Sequence, residues 1–96
     1  MSKYDFLGEL ETVIDSRVSD QSEGSYTAEL ARKGNRKVAQ KVGEEAVEVV
    51  IAATAEDNDR LTAESADLIY HLLVLLRLHD LRLGDVIDEL ERRQQA

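Results

Sequence analysis

Apolar residues recur along this chain at helical spacing. Between residues 3 and 18, Phe6, Leu7, Leu10, Val13, Ile14 and Val18 follow one another at steps of three and four, the signature of an amphipathic helix. The polar run 19–25 reads as a loop. Ser25 is placed to cap a short helix ending near Lys33, where Gly34 supplies the stop. Asn35 is the expected cap of a third helix running to about Glu56. Asp57-Asn58-Asp59 breaks the pattern and offers a new cap. A fourth helix is predicted from about Arg60 to His79, and a fifth over about 84–94 with Val86, Ile87 and Leu90 on one side. No segment alternates with period two. The expectation is an all-α fold, a helical bundle of about four to five helices around a central antiparallel helix pair.

The third helix carries more apolar surface than one contact buries. At ~100° per residue, with Glu44 at the origin, Lys37, Lys41, Glu48 and Glu45 share one face within ~100°. Val38, Val42, Ala46, Val49, Val50 and Ala53 form a core stripe, and Val47, Ile51 and Thr54 a further strip. The fourth helix has Leu or Ile around most of its circumference. Two apolar sides need two things to pack against. The bundle is therefore expected to be completed by dimerisation, as a homo-oligomer.

Composition narrows the field. The chain has 96 residues, 43% of them hydrophobic, so a single domain over 1–96 is expected. Twenty acids against 12 bases give a formal charge of −8, which disfavours nucleic-acid binding, since that rests on Lys and Arg meeting phosphates. The absence of Cys removes disulfides and thiolate metal sites. The most apolar stretch, 68–78, is about half a membrane span and is interrupted by Tyr70, His71 and Arg77. With a polar N-terminus, this makes a soluble cytoplasmic protein the default.

Within this helical frame lie two acidic clusters, Glu44-Glu45-x-x-Glu48 and Glu64-x-x-Asp67. Acids three or four apart on a helix are neighbours. Glu48 lies ten residues before Asn58 and Asp67 nine after it, so a hairpin turning there brings the clusters level. Like charges held together raise one another's pKa and oppose folding, and a divalent cation relieves the conflict. An all-oxygen donor set favours Mg²⁺, or Mn²⁺, over zinc, and such cations commonly handle phosphates. A solvated acidic face is the ordinary alternative.

Lys33, Arg36, Lys37 and Lys41 precede the acids. They read either as a phosphate-binding strip or as a solvated basic face that partly neutralises the glutamates. His71 follows Asp67 by four residues and is either a hydrogen-bonded core histidine or a substrate contact. Ser25-Tyr26-Thr27 reads as a cap and an anchor, and Thr27 stands with His71 as a substrate-contacting or supporting position.

Taken together, the motifs resemble one family. Gly24-Ser25-Tyr26-Thr27 with Leu30, Lys33-Gly34, Lys37 and Gln40-Lys41-Val42-Gly43-Glu44-Glu45-Ala46-Val47-Glu48 are joined by Glu64-Ser65-Ala66-Asp67-Leu68, Tyr70 to Leu76 and Leu83-Gly84-Asp85-Val86. The chain is similar over nearly its whole length to phosphoribosyl-ATP pyrophosphohydrolase, a member of the all-α nucleotide pyrophosphohydrolase superfamily that includes MazG and the dimeric dUTPases. The resemblance implies Mg²⁺-dependent hydrolysis of phosphoribosyl-ATP to phosphoribosyl-AMP and pyrophosphate, the second step of histidine biosynthesis. It implies Glu45, Glu48, Glu64 and Asp67 as metal ligands and Glu44 as a further ligand or the group that activates water. Lys37 and Lys41 would steady the phosphates. The competing readings are a house-cleaning hydrolase of dCTP, dUTP or damaged nucleotides and a non-catalytic helical interaction protein.

Overall fold

A computed structural model describes residues 2–21 and 23–95. Five helices follow a short 3₁₀ turn, Lys3–Asp5: α1 (Phe6–Asp20), α2 (Tyr26–Lys33), α3 (Asn35–Ala55), α4 (Asn58–Leu78) and α5 (Leu83–Gln95). Among the described residues no strand forms, and the all-α expectation holds.

The helix ends follow from local chemistry. The Ser25 hydroxyl accepts from the Ala28 N–H at 3.2 Å and starts α2. Gly34, at φ 91°, ends α2 and turns directly into α3. Nothing crowds a Cβ there, so backbone conformation alone demands glycine. This displaces Asn35 from the capping position expected of it. Asn35 is the first residue of α3, and its side-chain oxygen accepts from His79 Nε2 at 2.7 Å. Asp57 caps α4 by accepting from the Arg60 N–H at 2.9 Å. With only Glu56 and Asp57 between them, α3 and α4 fold into a hairpin that forms the largest helix–helix contact.

The core lies where α1 to α4 meet. Ile14, Leu30, Val38, Leu73 and Val74 are buried together, with Leu7, Leu10, Val18, Tyr70, Leu75, Leu78 and Leu83 packed around them. α3 is rotated from the orientation its apolar stripe predicts. Val38 is fully buried, but Val50 and Ala53 are exposed, and Glu45 and Ala52 are buried instead. The acidic face of α3 thus turns toward α4, leaving Val47, Val50 and Ile51 in solvent. α5 is anchored at its start, where the Leu83 N–H donates to Glu11 at 2.7 Å and Arg82 pairs with Asp15. Farther along α5, Ile87 and Leu90 are exposed. No helix among the described residues is long and apolar enough to cross a membrane.

Candidate metal centre

The hairpin sets the geometry of the acidic site. One carboxylate oxygen each from Glu45 and Glu48 of α3 and Glu64 of α4 lie within 4.8 Å of one another. Glu45 and Glu64 are 6% and 5% exposed, whereas Glu48 is open to solvent. Each buried carboxylate has one cationic neighbour. Lys41 Nζ is 3.4 Å from Glu45 Oε1, and Arg60 Nη2 donates to Glu64 Oε1 at 2.7 Å. The second oxygens, Glu45 Oε2 and Glu64 Oε2, are buried without a partner.

This arrangement is costly as it stands. A buried carboxylate oxygen without a hydrogen bond carries a desolvation penalty of order 1–3 kcal/mol or more. The close approach of the Glu48 carboxyl is the largest cause raising the Glu64 carboxyl above its ordinary range. Burial and the Glu48 charge add to it, and Arg60 opposes it. On the other side, its hydrogen bond to Glu45 holds the Lys41 ammonium above its usual value. Two orphaned oxygens and a third open carboxylate, with no nitrogen or sulfur donor among them, form a donor set that fits a hard divalent cation.

The remaining expected residues are distributed around this centre. Asp67 is exposed and lies outside the three-oxygen group, although its charge helps raise Glu64. Glu44 also lies outside it, accepting from Gln40 Nε2 at 3.1 Å with Lys41 Nζ 4.0 Å away. Glu48, Ile51, Glu56, Arg60 and Glu64 line a cavity of about 220 Å³. A second cavity, of about 230 Å³, is lined by Tyr26, Leu30, Lys33, Lys37, Gln40, Lys41 and Glu44. Three of the four expected basic residues therefore meet in one hollow, and Arg36 lies exposed outside it.

Thr27 and His71 are buried in a clamp that fastens α2 to α4. His71 Nδ1 lies 2.6 Å from the Asp67 carbonyl, which can only accept. The proton is therefore on Nδ1, and Nε2 accepts from the Tyr26 hydroxyl at 2.8 Å. Thr27 shares a hydrogen bond with the Tyr70 hydroxyl. Both Tyr26 and Tyr70 meet the His71 ring edge-on. Sequence reasoning took Tyr26 only as an anchor and gave Arg60 no part. The signals were present. Tyr26, Leu30, Lys33 and Lys37 recur at helical steps across Gly34, and Arg60 precedes Glu64 by four.

Residues 7–94 match the family model described as phosphoribosyl-ATP pyrophosphohydrolase. The chain belongs to this family. It is accordingly a hydrolase. A phosphoribosyl-ATP pyrophosphatase of Metallosphaera sedula is 55% identical over 91 residues, covering 95% of this chain and 98% of that protein. Another from Pyrobaculum islandicum is 53% identical over 91 residues, covering 95% and 97%. The histidine biosynthesis bifunctional protein HisIE of Bacillus subtilis is 50% identical over 91 residues, which make up 95% of this chain and 44% of that protein. The phosphoribosyl-ATP pyrophosphohydrolase family thus supplies a reaction against which the two cavities and the carboxylate centre can be read.

Proposed function

We propose that residues 1–96 act as one domain that hydrolyses phosphoribosyl-ATP to phosphoribosyl-AMP and pyrophosphate, in the cytoplasm and with Mg²⁺. This is the second step of histidine biosynthesis. The observation carrying the reading is a group of three carboxylates drawn from both arms of the hairpin, two of which each bury one oxygen without a partner, in a chain of this family. Glu45, Glu48, Glu64 and Asp67 would hold Mg²⁺, with Mn²⁺ the alternative. When bound, the cation polarises the scissile phosphoryl group and neutralises the leaving pyrophosphate. Glu44, on the rim between the carboxylate centre and the basic cavity, takes the proton of the attacking water as general base. The water oxygen bonds to the α-phosphorus as the bond to the β-phosphate bridge breaks. Lys33, Arg36, Lys37 and Lys41 bind substrate phosphates, and Thr27 and His71 keep α2 seated on α4. The working unit is a homodimer, covering the exposed aliphatic strip of α3.

Incubation with phosphoribosyl-ATP is expected to release pyrophosphate in the presence of Mg²⁺ and not in chelator. No release at any Mg²⁺ concentration would overturn the reading.

Mg²⁺ is also expected to raise the thermal midpoint in a pH-dependent way. At free Mg²⁺ near one hundred times its Kd, linkage gives ~2.7 kcal/mol of stabilisation. Glu64 holds its proton to higher pH than an ordinary carboxylate, so protons compete with the cation as pH falls through that raised value. The Mg²⁺-induced gain should shrink there. In chelator the Glu64 contribution has the opposite sign. It stabilises the fold below the unfolded-state pKa and is lost as pH rises through the folded one. Melting curves at several pH values with and without Mg²⁺ separate the two trends. A Mg²⁺ effect that is absent, or independent of pH across this range, would count against a cation at Glu64.

A further inference from the structure

We propose that the cavity between α2 and α3 is a subsite for a sugar monophosphate, in which Lys33 and Lys37 hold a phosphate that does not react. This rests on the hydrolytic reading above and divides the basic strip by task. Lys41 belongs to the carboxylate centre, where it is engaged with Glu45 at 3.4 Å. Lys33 and Lys37 make no ion pair or hydrogen bond among the described residues, yet both line the same cavity of about 230 Å³. In a chain with 20 acids and 12 bases, a hollow lined by three ammonium groups and one carboxylate, Glu44, carries a net positive charge that suits an anion. Gly34 creates the convergence, because its φ of 91° turns the chain between the end of α2 and the first turn of α3. α3 also starts without a side-chain cap, so the positive end of its dipole adds to the same field.

The rest of the lining suits a sugar better than bare phosphate. The half-exposed Tyr26 ring forms a wall, and Leu30 packs beneath the cavity. That wall is fixed in advance. The Tyr26 hydroxyl is tied to buried His71, and His71 to the Asp67 carbonyl. Gln40 supplies a polar group for hydroxyls.

Distance assigns the phosphate. Along α3, Lys37 lies ~12 Å from Glu45 and ~16 Å from Glu48, with Lys41 between them. The two cavities share no lining residue. A phosphate at the far end of a nucleotide whose triphosphate lies at the carboxylate centre is the group placed to meet Lys33 and Lys37. Phosphoribosyl-ATP carries such a group, and ATP does not. The subsite would make the chain selective for the phosphoribosylated nucleotide.

The test compares inhibition of wild type and the Lys33→Ala/Lys37→Ala double variant by ribose 5-phosphate and by pyrophosphate. Loss of two charge-assisted contacts should raise the inhibition constant for ribose 5-phosphate at least ~10-fold. The constant for pyrophosphate should stay within about twofold, because Lys41 and the carboxylates are intact. Calorimetric titration with Mg²⁺ should give the same affinity in both proteins. Equal inhibition of both proteins by ribose 5-phosphate would overturn the proposal. So would a parallel rise for pyrophosphate, which would assign the lysines to the leaving group. If the wild-type chain releases no pyrophosphate at all, the reaction assignment fails separately. Calorimetric titration of ribose 5-phosphate then decides the subsite, which requires binding to wild type that the double variant loses.

Discussion

Glu48→Gln is expected to lower kcat by at least ~10³-fold, about 4 kcal/mol of transition-state stabilisation, while making the metal-free protein more stable. Both effects follow from one geometry. Glu48 is the exposed member of the three-carboxylate group, so the substitution creates no cavity and orphans no buried partner. It does remove the carboxylate whose close approach and charge both raise the buried Glu64 carboxyl. Relieved of that repulsion, the fold in chelator should melt at a higher temperature than wild type. The same relief removes a cation ligand, so the gain in melting temperature on adding Mg²⁺ should largely vanish. Three measurements on one variant, namely turnover, midpoint in chelator and the rise in midpoint on adding Mg²⁺, must move down, up and down relative to wild type. A variant that keeps its turnover would show the cluster to be surface charge. One that loses turnover by unfolding would betray itself in the chelator melt.

The hairpin was legible before the structure because matching distances from the break at 57–59 set the two acidic clusters level. The rotation of each helix about its axis was not legible. Level with Glu45 and Glu48, α4 presents Glu64, while Asp67, ~60° around the helix from it, faces solvent. Leucines around most of α4 make almost any rotation acceptable to a hydrophobic core, so the pattern carries little information on this point. For α3 the inward face lies to one side of the expected stripe, with Val38 buried and Val42, Ala46 and Val49 half-buried but Val50 and Ala53 exposed. Glu45 and Ala52 are buried against the neighbouring helices, and Val50 is 61% exposed. An apolar stripe says that a face will be covered, not whether its own chain covers it. The clamp of Tyr26 on His71 and Thr27 on Tyr70 joins residues 45 and 43 positions apart. Such pairings arise from how α2 lies across α4, and no local spacing encodes them.

Val50→Asp is expected to convert a homodimer to monomers, weakening association at least ~100-fold, or about 2.7 kcal/mol. In the single chain Val50, Val47 and Ile51 are 61%, 58% and 48% exposed, so a carboxylate at position 50 stays hydrated and should leave helicity unchanged. On association it must shed that water with no cation to meet it, because the neighbouring strip is aliphatic. A two-fold interface presents the same patch from both partners, so one substitution acts twice. Light scattering or sedimentation across a range of concentrations reads the effect directly. A wild-type chain that remains monomeric, or a variant that associates as strongly as wild type, would remove this face from the assembly. Activity should follow association even though Val50 touches no carboxylate. Ile51, on the same strip, also lines the cavity with Glu48 and Glu64, so whatever covers the strip also borders the carboxylate centre and narrows its access to water. Lowering that local dielectric strengthens every charge interaction there. Specific activity of the variant should therefore recover toward wild type as protein concentration is raised, whereas a ligand substitution such as Glu48→Gln should stay inactive at every concentration.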